Sequence, residues 1–242
     1  MFEKNISKYL QQYGFEHIWL KAVLFDMDGV LFDSMPMHAK AWAEAAQRFN
    51  FDLTEEEAYE HEGRTGKSTI DILAQRCWGR QATEAEEKQI YEVKSNIFNT
   101  LPKAKPMPGA TGLLQQIKED GFQIVLVTGS GQKSLLQKLN RSYAGIFKSD
   151  LMVTSFDVKQ GKPSAEPYQM ALKKAGIKPN EAIVIENAPL GVRAGVAAEI
   201  FTVAVNTGPL PDKKLLDEGA NLLLPSMQAL SEQWMQLRNE IQ

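Results

Sequence analysis

The sequence predicts an α/β fold: a Rossmann-like, doubly wound parallel sheet with an α-helical cap domain inserted near its start. Three observations predict it. Apolar runs of strand length alternate with helical patterns along most of the chain, which indicates strand-helix-strand units and a parallel sheet. The first run, Ala22-Val23-Leu24-Phe25, has no polar alternation, as expected of a strand covered on both faces. A stretch from residue 35 to about residue 100 is rich in Glu, Gln, Ala and Lys, with helical spacing and no strand-like run.

In chain order, the first strand ends in Asp26-Met27-Asp28-Gly29, where the glycine permits a sharp turn. Candidate cap helices follow at 37–49, 54–59, 68–78 and 83–98. Pro102, Pro106 and Pro108, just before Gly109, cannot continue a helix and mark a stiff return. Strand-like runs at 122–127, 151–154, 182–185 and 201–205, with a weaker one at 221–224, then alternate with helical patterns at 110–119, 132–139, 165–175 and 190–197. The implied division is a core of residues 1–33 plus 106–242 and a cap of residues 34–105. Both connections leave beside Asp26, which lets the cap close over it like a lid.

The 242 residues are 43% hydrophobic, enough for a full core. A formal charge of −3 without a basic block argues against a nucleic-acid partner, because phosphate backbones are held by clustered Lys and Arg. Cys77 is the only cysteine, so no internal disulfide forms, and its helical context reads as packing. Residues 1–14 are amphipathic and lack the apolar centre of a signal peptide. No apolar stretch approaches the roughly 20 residues that span a bilayer. The expectation is a cytoplasmic enzyme, monomeric by default, acting on a small molecule without a membrane partner.

Two glycine motifs fail on spacing. Gly66-Lys67-Ser68 imitates the end of a phosphate-binding P-loop, but His61 stands where its first glycine belongs. Gly129-Ser130-Gly131 follows a strand as a dinucleotide loop does, yet Ser134 replaces the third glycine. What does cohere is the set of residues at strand ends: Asp26 and Asp28 after the first, Thr128 and Ser130 after the second, Lys162 after the third, and Glu186 with Asn187 after the fourth. In an open parallel sheet these ends share one edge, where ligands bind. Carboxylates plus an amide suit Mg²⁺, a hard ion with oxygen ligands, while hydroxyls and an ammonium suit phosphate oxygens.

Phe25-Asp26-Met27-Asp28-Gly29-Val30-Leu31, Val127-Thr128-Gly129-Ser130, Gly161-Lys162-Pro163-Ser164-Ala165-Glu166-Pro167-Tyr168 and Val184-Ile185-Glu186-Asn187-Ala188-Pro189-Leu190-Gly191-Val192 resemble, in order, the four motifs of the haloacid dehalogenase superfamily. The resemblance is to its phosphatase and β-phosphoglucomutase-like branch, which carries a helical cap after the first motif. It implies that Asp26 is a nucleophile forming an aspartyl-phosphate, and that Asp28 is the general acid and then the base. It further implies that Thr128 binds the phosphoryl group with Gly129 and Ser130, and that Lys162 offsets charge on Asp26 and the phosphoryl oxygens. Mg²⁺ would be held by Asp26, Asp28, Asn187 and Glu186.

Two departures from the family pattern narrow the reading. Asn187 is neutral where the branch commonly has Asp, which weakens electrostatic pull on a metal or gives Glu186 a larger share. In the cap loop, Glu62 and Gly66 stand where the mutases tend to carry lysine and arginine for a second phosphate. Arg64 and Lys67 supply charge nearby, in a different place. A carboxylate at 62 disfavours a sugar-phosphate mutase and points to a phosphohydrolase, with inorganic pyrophosphate as a candidate substrate. For Glu62 the plain alternative is a solvated helix-end charge. His38 and Trp42 lie one turn apart on the first cap helix, which makes His38 a candidate contact for Asp28 or substrate. His17 and His61 read as surface residues, Phe98 and Trp234 as core. The competing functions are a β-phosphoglucomutase and, from Asn187 alone, a phospho-ligand sensor without catalysis.

Overall fold

The computed structural model describes residues 2–130 and 135–241. Its central sheet has six parallel strands: β1 (Ala22–Phe25), β4 (Gln123–Val127), β5 (Met152–Val153), β6 (Ala182–Glu186), β7 (Phe201–Val205) and β8 (Leu222–Leu224), in the spatial order β5-β4-β1-β6-β7-β8. A ribbon of β2 (Phe32–Asp33) and β3 (Lys105–Pro106) pairs antiparallel where the chain leaves and re-enters the core.

Alternate residues of each central strand face opposite sides, so the unbroken apolar runs serve two cores. Val23, Phe25, Ile124, Leu126, Ile183 and Ile185 pack with α1 (Glu3–Tyr13), α6 (Ala110–Glu119) and α11 (Met227–Ile241). Ala22, Leu24, Val125, Val127 and Val184 pack instead with α8 (Glu166–Ala175) and α9 (Pro189–Ala197). The sequence reading left α1, α11 and the short α10 (Asp212–Asp217) unassigned. In α1, Tyr9 is buried and its hydroxyl donates to the Glu199 carbonyl at 2.8 Å, while Tyr13 donates to that of Val196 at 3.0 Å. The expected helix at 132–139 is described only as α7 (Leu135–Ser142), and residues 131–134 lie outside the described residues.

The inserted cap consists of α2 (Met35–Arg48), α3 (Glu55–Glu60), α4 (Gly66–Trp78) and α5 (Glu84–Thr100). Thr54, Thr65 and Thr83 set three of the starts, because each side chain accepts the N–H three residues on and satisfies an otherwise orphan donor. At α5, Glu86 also returns a bond to the Thr83 N–H, which completes a capping box. The Thr65 cap explains why α4 begins two residues before the expected Ser68. Phe51, Leu53, Ile70, Leu73 and Ile90 form the cap's own core.

In β1, Ala22 to Phe25 lie level with Gln123 to Leu126 of β4 and with Ala182 to Ile185 of β6. Residues 26, 127–128 and 186 therefore emerge side by side, where the strand order reverses around β1 and ligands are expected. Trp234 anchors the far side of the core, with its indole N–H donating to Asp120 at 2.8 Å and its ring 1% exposed. Replacing it by alanine is expected to cost about 3–5 kcal/mol of stability, read as a drop in the denaturant midpoint.

Candidate active site

The polypeptide turns sharply after β1. Gly29 has φ 80°, and the turn is closed by Gly29 N–H to Phe32 O and by Leu31 N–H to Met27 O, both 2.8 Å. A Cβ at position 29 would lie 2.0 Å from Asn187 Nδ2, so glycine is required by contact as well as by conformation. This turn directs both Asp26 and Asp28 into a cavity lined from the core by Thr128, Gly129, Ser130 and Lys138.

Lys162 is 2% exposed, and its three ammonium donors are all used. They go to Asp26 Oδ1, to Glu186 Oε1 at 2.6 Å and to the Val127 carbonyl at 3.1 Å. Glu186 is saturated in turn: Oε1 also accepts from the Tyr168 hydroxyl at 2.8 Å, and Oε2 accepts from the backbone N–H groups of Asn187 and Ala188 at 3.0 and 3.4 Å. On the neighbouring strand end, Thr128 Oγ1 accepts the Ser130 N–H at 3.1 Å, which shapes the Thr128-Gly129-Ser130 loop.

The cap completes the enclosure. Asn187 Nδ2 donates to Glu62 Oε1 at 2.9 Å across the seam, and Glu62 is 9% exposed, so it is no solvated helix-end charge. Gly63 lies against the Lys162 stem, where a Cβ would sit 3.2 Å from Lys162 Cδ, and a Cβ on Gly129 would sit 3.2 Å from the Gly63 and Arg64 carbonyls. Arg64 reaches the cavity with its Nε buried and unpartnered. His61 corrects the sequence reading: it lines the cavity rather than the surface. Its Nε2 lies 3.4 Å from Glu57 and its Nδ1 is buried without a partner.

His38 joins cap to acid. Its Nε2 stands 3.4 Å from Asp28 Oδ1, which also accepts from the Ser34 hydroxyl. His38 Nδ1 faces Lys94 Nζ at 2.8 Å, and its ring stacks on Phe98 at 4.2 Å. An ammonium can only donate, so the pair assigns the ring proton to Nε2, directed at Asp28. The Lys94 ammonium lies over Trp42, Phe98 and Tyr91 at 5.3, 5.1 and 6.0 Å. Sequence reading missed Lys94, although a signal existed. Ile90, Lys94 and Ile97 fall on one buried helical stripe, where a lysine is out of place unless it serves a ligand.

The electrostatics separate the two aspartates. Burial drives Asp26 above the ordinary carboxylate range, with Lys162 opposing and Glu186 and Asp28 reinforcing the rise. Burial also acts to raise Asp28, but His38, Lys138 and the Ser34 hydroxyl together hold it below that range. Burial, reinforced by Lys94, keeps His38 on the neutral side against the pull of Asp28. Burial lowers Lys94 to about 8 and pushes Glu62 well up, with Asp26, Glu186 and Asp28 adding to it.

Among the described residues, no three His, Cys, Asp or Glu side chains converge as a metal cluster. The oxygens that fit a divalent cation are of another kind: the Asp26 carboxylate, which lines the cavity, and Asn187 Oδ1, which is buried with no partner while its amide nitrogen is fixed on Glu62. Hard oxygen donors among crowded carboxylates suit Mg²⁺, and a cation would reverse the upward pressure on Asp26 and Glu62.

A six-stranded parallel sheet with two aspartates just past the end of its first strand and an inserted helical cap defines a capped α/β protein of the Rossmann-like class. The sequence profile of the haloacid dehalogenase-like hydrolases matches residues 23–205, and the chain belongs to that family. A phosphorylated carbohydrates phosphatase of Thermotoga maritima is 30% identical over 213 residues, which cover 88% of this chain and 97% of the relative. A Bacillus subtilis beta-phosphoglucomutase is 27% identical over 225 residues, covering 90% and 97%. A solved Bacteroides vulgatus structure, provisionally named beta-phosphoglucomutase, is 58% identical with a TM-score of 0.97, covering 100% of this chain and 98% of that one.

The start of α9 approaches Glu186 so closely that a Cβ on Gly191 would sit 1.9 Å from Glu186 Oε1. Gly191→Ala is therefore expected to cost about 1–3 kcal/mol by overpacking, seen as a lower thermal midpoint, and to lose most activity by displacing Glu186 from Lys162.

Proposed function

We propose that this protein is a Mg²⁺-dependent phosphohydrolase working through an aspartyl-phosphate on Asp26, with inorganic pyrophosphate as the substrate that the site fits best. The observation that carries the substrate reading is Lys94. It is a buried cap cation held among three rings, beside His38 and opposite Asp28, with no carboxylate bonded to it in the described structure. Such a cation is suited to a second anionic group beyond the transferred phosphoryl group.

The geometry supports the following roles. Asp26 attacks phosphorus through the carboxylate oxygen not held by Lys162, and the bond to the leaving oxygen breaks. Thr128 and the Gly129-Ser130 backbone hold the phosphoryl oxygens. Asp28 then takes a proton from water as it attacks phosphorus, and the bond to Asp26 breaks to release phosphate. Asp26, the Asp28 carbonyl and Asn187 Oδ1 would hold Mg²⁺, which when bound offsets charge on the phosphoryl oxygens and carboxylates. Glu186, engaged by four donors, serves better to support Lys162 than to ligate the metal. Arg64 and Glu62 would close the cap side, where a bound cation would offset the charge of Glu62.

Asp28 held low bears on the leaving group. A sugar alkoxide needs a proton as it departs, whereas phosphate departs well without one. An acid residue kept ionised therefore fits pyrophosphate better than a sugar monophosphate. The second reading, a β-phosphoglucomutase, draws on the names of two relatives and on the aromatic lining of the cavity. Those rings, however, are occupied with Lys94 and His38.

Phosphate release from pyrophosphate is expected to require Mg²⁺, to exceed that from β-glucose 1-phosphate and hexose 6-phosphates, and to vanish in Asp26→Asn. Conversion of β-glucose 1-phosphate to the 6-phosphate without release would establish the mutase instead. Lys94 is charged below about pH 8 and neutral above it. The KM for pyrophosphate is therefore expected to climb as pH passes about 8. Lys94→Met should raise KM on the order of tenfold or more below that pH and remove this limb of the profile.

A further inference from the structure

Tyr168 is fully buried in the core beneath the site, and a phenylalanine ring would fill its place equally well. The hydroxyl therefore needs a separate reason, because a buried hydroxyl is costly unless it is bonded. It donates to Glu186 Oε1 at 2.8 Å, the same oxygen that receives Lys162 at 2.6 Å, and the Lys162 ammonium lies 5.2 Å from the Tyr168 ring centroid. Lys162 is thus shared between two carboxylates, Asp26 and Glu186, of which only Glu186 carries the extra donor.

We propose that Tyr168 is a positioning residue: by donating its hydroxyl to Glu186 Oε1, it weakens that oxygen's hold on Lys162 and keeps the ammonium directed at Asp26. The inference rests on the reading of Asp26 as nucleophile and Lys162 as its charge partner. Burial and the nearby Glu186 and Asp26 charges keep the proton on Tyr168, so the hydroxyl acts as a donor throughout the working pH range. Without it, Glu186 Oε1 has Lys162 as its one remaining side-chain donor among the described residues, and the ammonium shifts toward Glu186.

The test is Tyr168→Phe with pyrophosphate and Mg²⁺, alone and in a Glu186→Gln background. The expected result is a fall in kcat of about tenfold, KM unchanged within about twofold, and a thermal midpoint within about 4 °C of the parent. In the Glu186→Gln background, the second substitution should cause no further fall, since it acts through the lost charge. An unchanged kcat, or the same fall in both backgrounds, would overturn the proposal. A second readout does not need turnover: the ¹H–¹⁵N signal of the Lys162 ammonium, assigned by its loss in Lys162→Met. Its displacement in Tyr168→Phe supports the inference, and an unmoved signal rejects it even if pyrophosphate proves not to be hydrolysed. Absence of phosphate release from the parent protein would count against the proposed substrate alone.

Discussion

The buried ammonium of Lys162 is the contact on which the rest of the site depends. A charge with almost no exposure is tolerable only when every donor is met and opposite charge is at hand. Here the three acceptors are contributed by the ends of three adjacent strands: Asp26 after β1, Val127 at the end of β4 and Glu186 at the end of β6. The register that levels those strands is therefore also what makes the charge affordable. Removing one partner would strand the others, which is why the surroundings are so closely specified. Gly191 has no room for a methyl group beside Glu186, and Gly29 has none beside Asn187.

Around this contact the acids crowd together. Asp26, Asp28 and Glu62 line the cavity with Lys138, Asp26 and Glu186 share Lys162 beneath it, and the cap adds Lys94, Arg64 and the neutral-leaning His38. Without a further cation, repulsion and burial press Asp26 and Glu62 toward protonation. The Asn187 amide makes structural sense in that setting. Its nitrogen can donate to Glu62, which a carboxylate at the same place could not do, and its oxygen is left free. An aspartate there would place a fifth carboxylate beside Glu62. The pair of departures from the family pattern noted at positions 62 and 187 is thus one feature: the two side chains are bonded to each other across the cap–core seam.

Much of this was legible in the sequence, for identifiable reasons. Buried parallel strands leave unbroken apolar runs, so β1, β4, β6 and β7 were read within a residue of their bounds. The motif residues stand immediately after those runs, so their convergence followed from the topology. The ribbon of β2 and β3 was not legible, because two-residue strands carry no periodicity. Nor was the position of His61, whose burial depends on how the cap loop seats against the core. Lys94 was missed because a lysine among Glu and Lys on a helix looks solvated until the buried neighbours Ile90 and Ile97 are counted with it. Tyr168 stood inside a recognised motif, but only the bonded geometry gives its hydroxyl a purpose.

The split between core and cap bears on selectivity. On the reading proposed above, the core groups address one phosphoryl group and would treat any phosphate ester alike. Discrimination must come from contacts made by the cap to the remainder of the substrate, where binding energy can be directed to closing the site. On the reading proposed above, that remainder is a second phosphate facing Lys94, with His38 linking it to Asp28. Pyrophosphate is small enough to engage core and cap together without a sugar between them. Its departing half is an anion that leaves without a proton, so the same Lys94–His38–Asp28 line that recognises it can hold Asp28 ionised and ready to accept a proton from water. Recognition and the second chemical step would then draw on one set of charges, whereas a sugar phosphate would need Asp28 protonated first and against the pull of its neighbours.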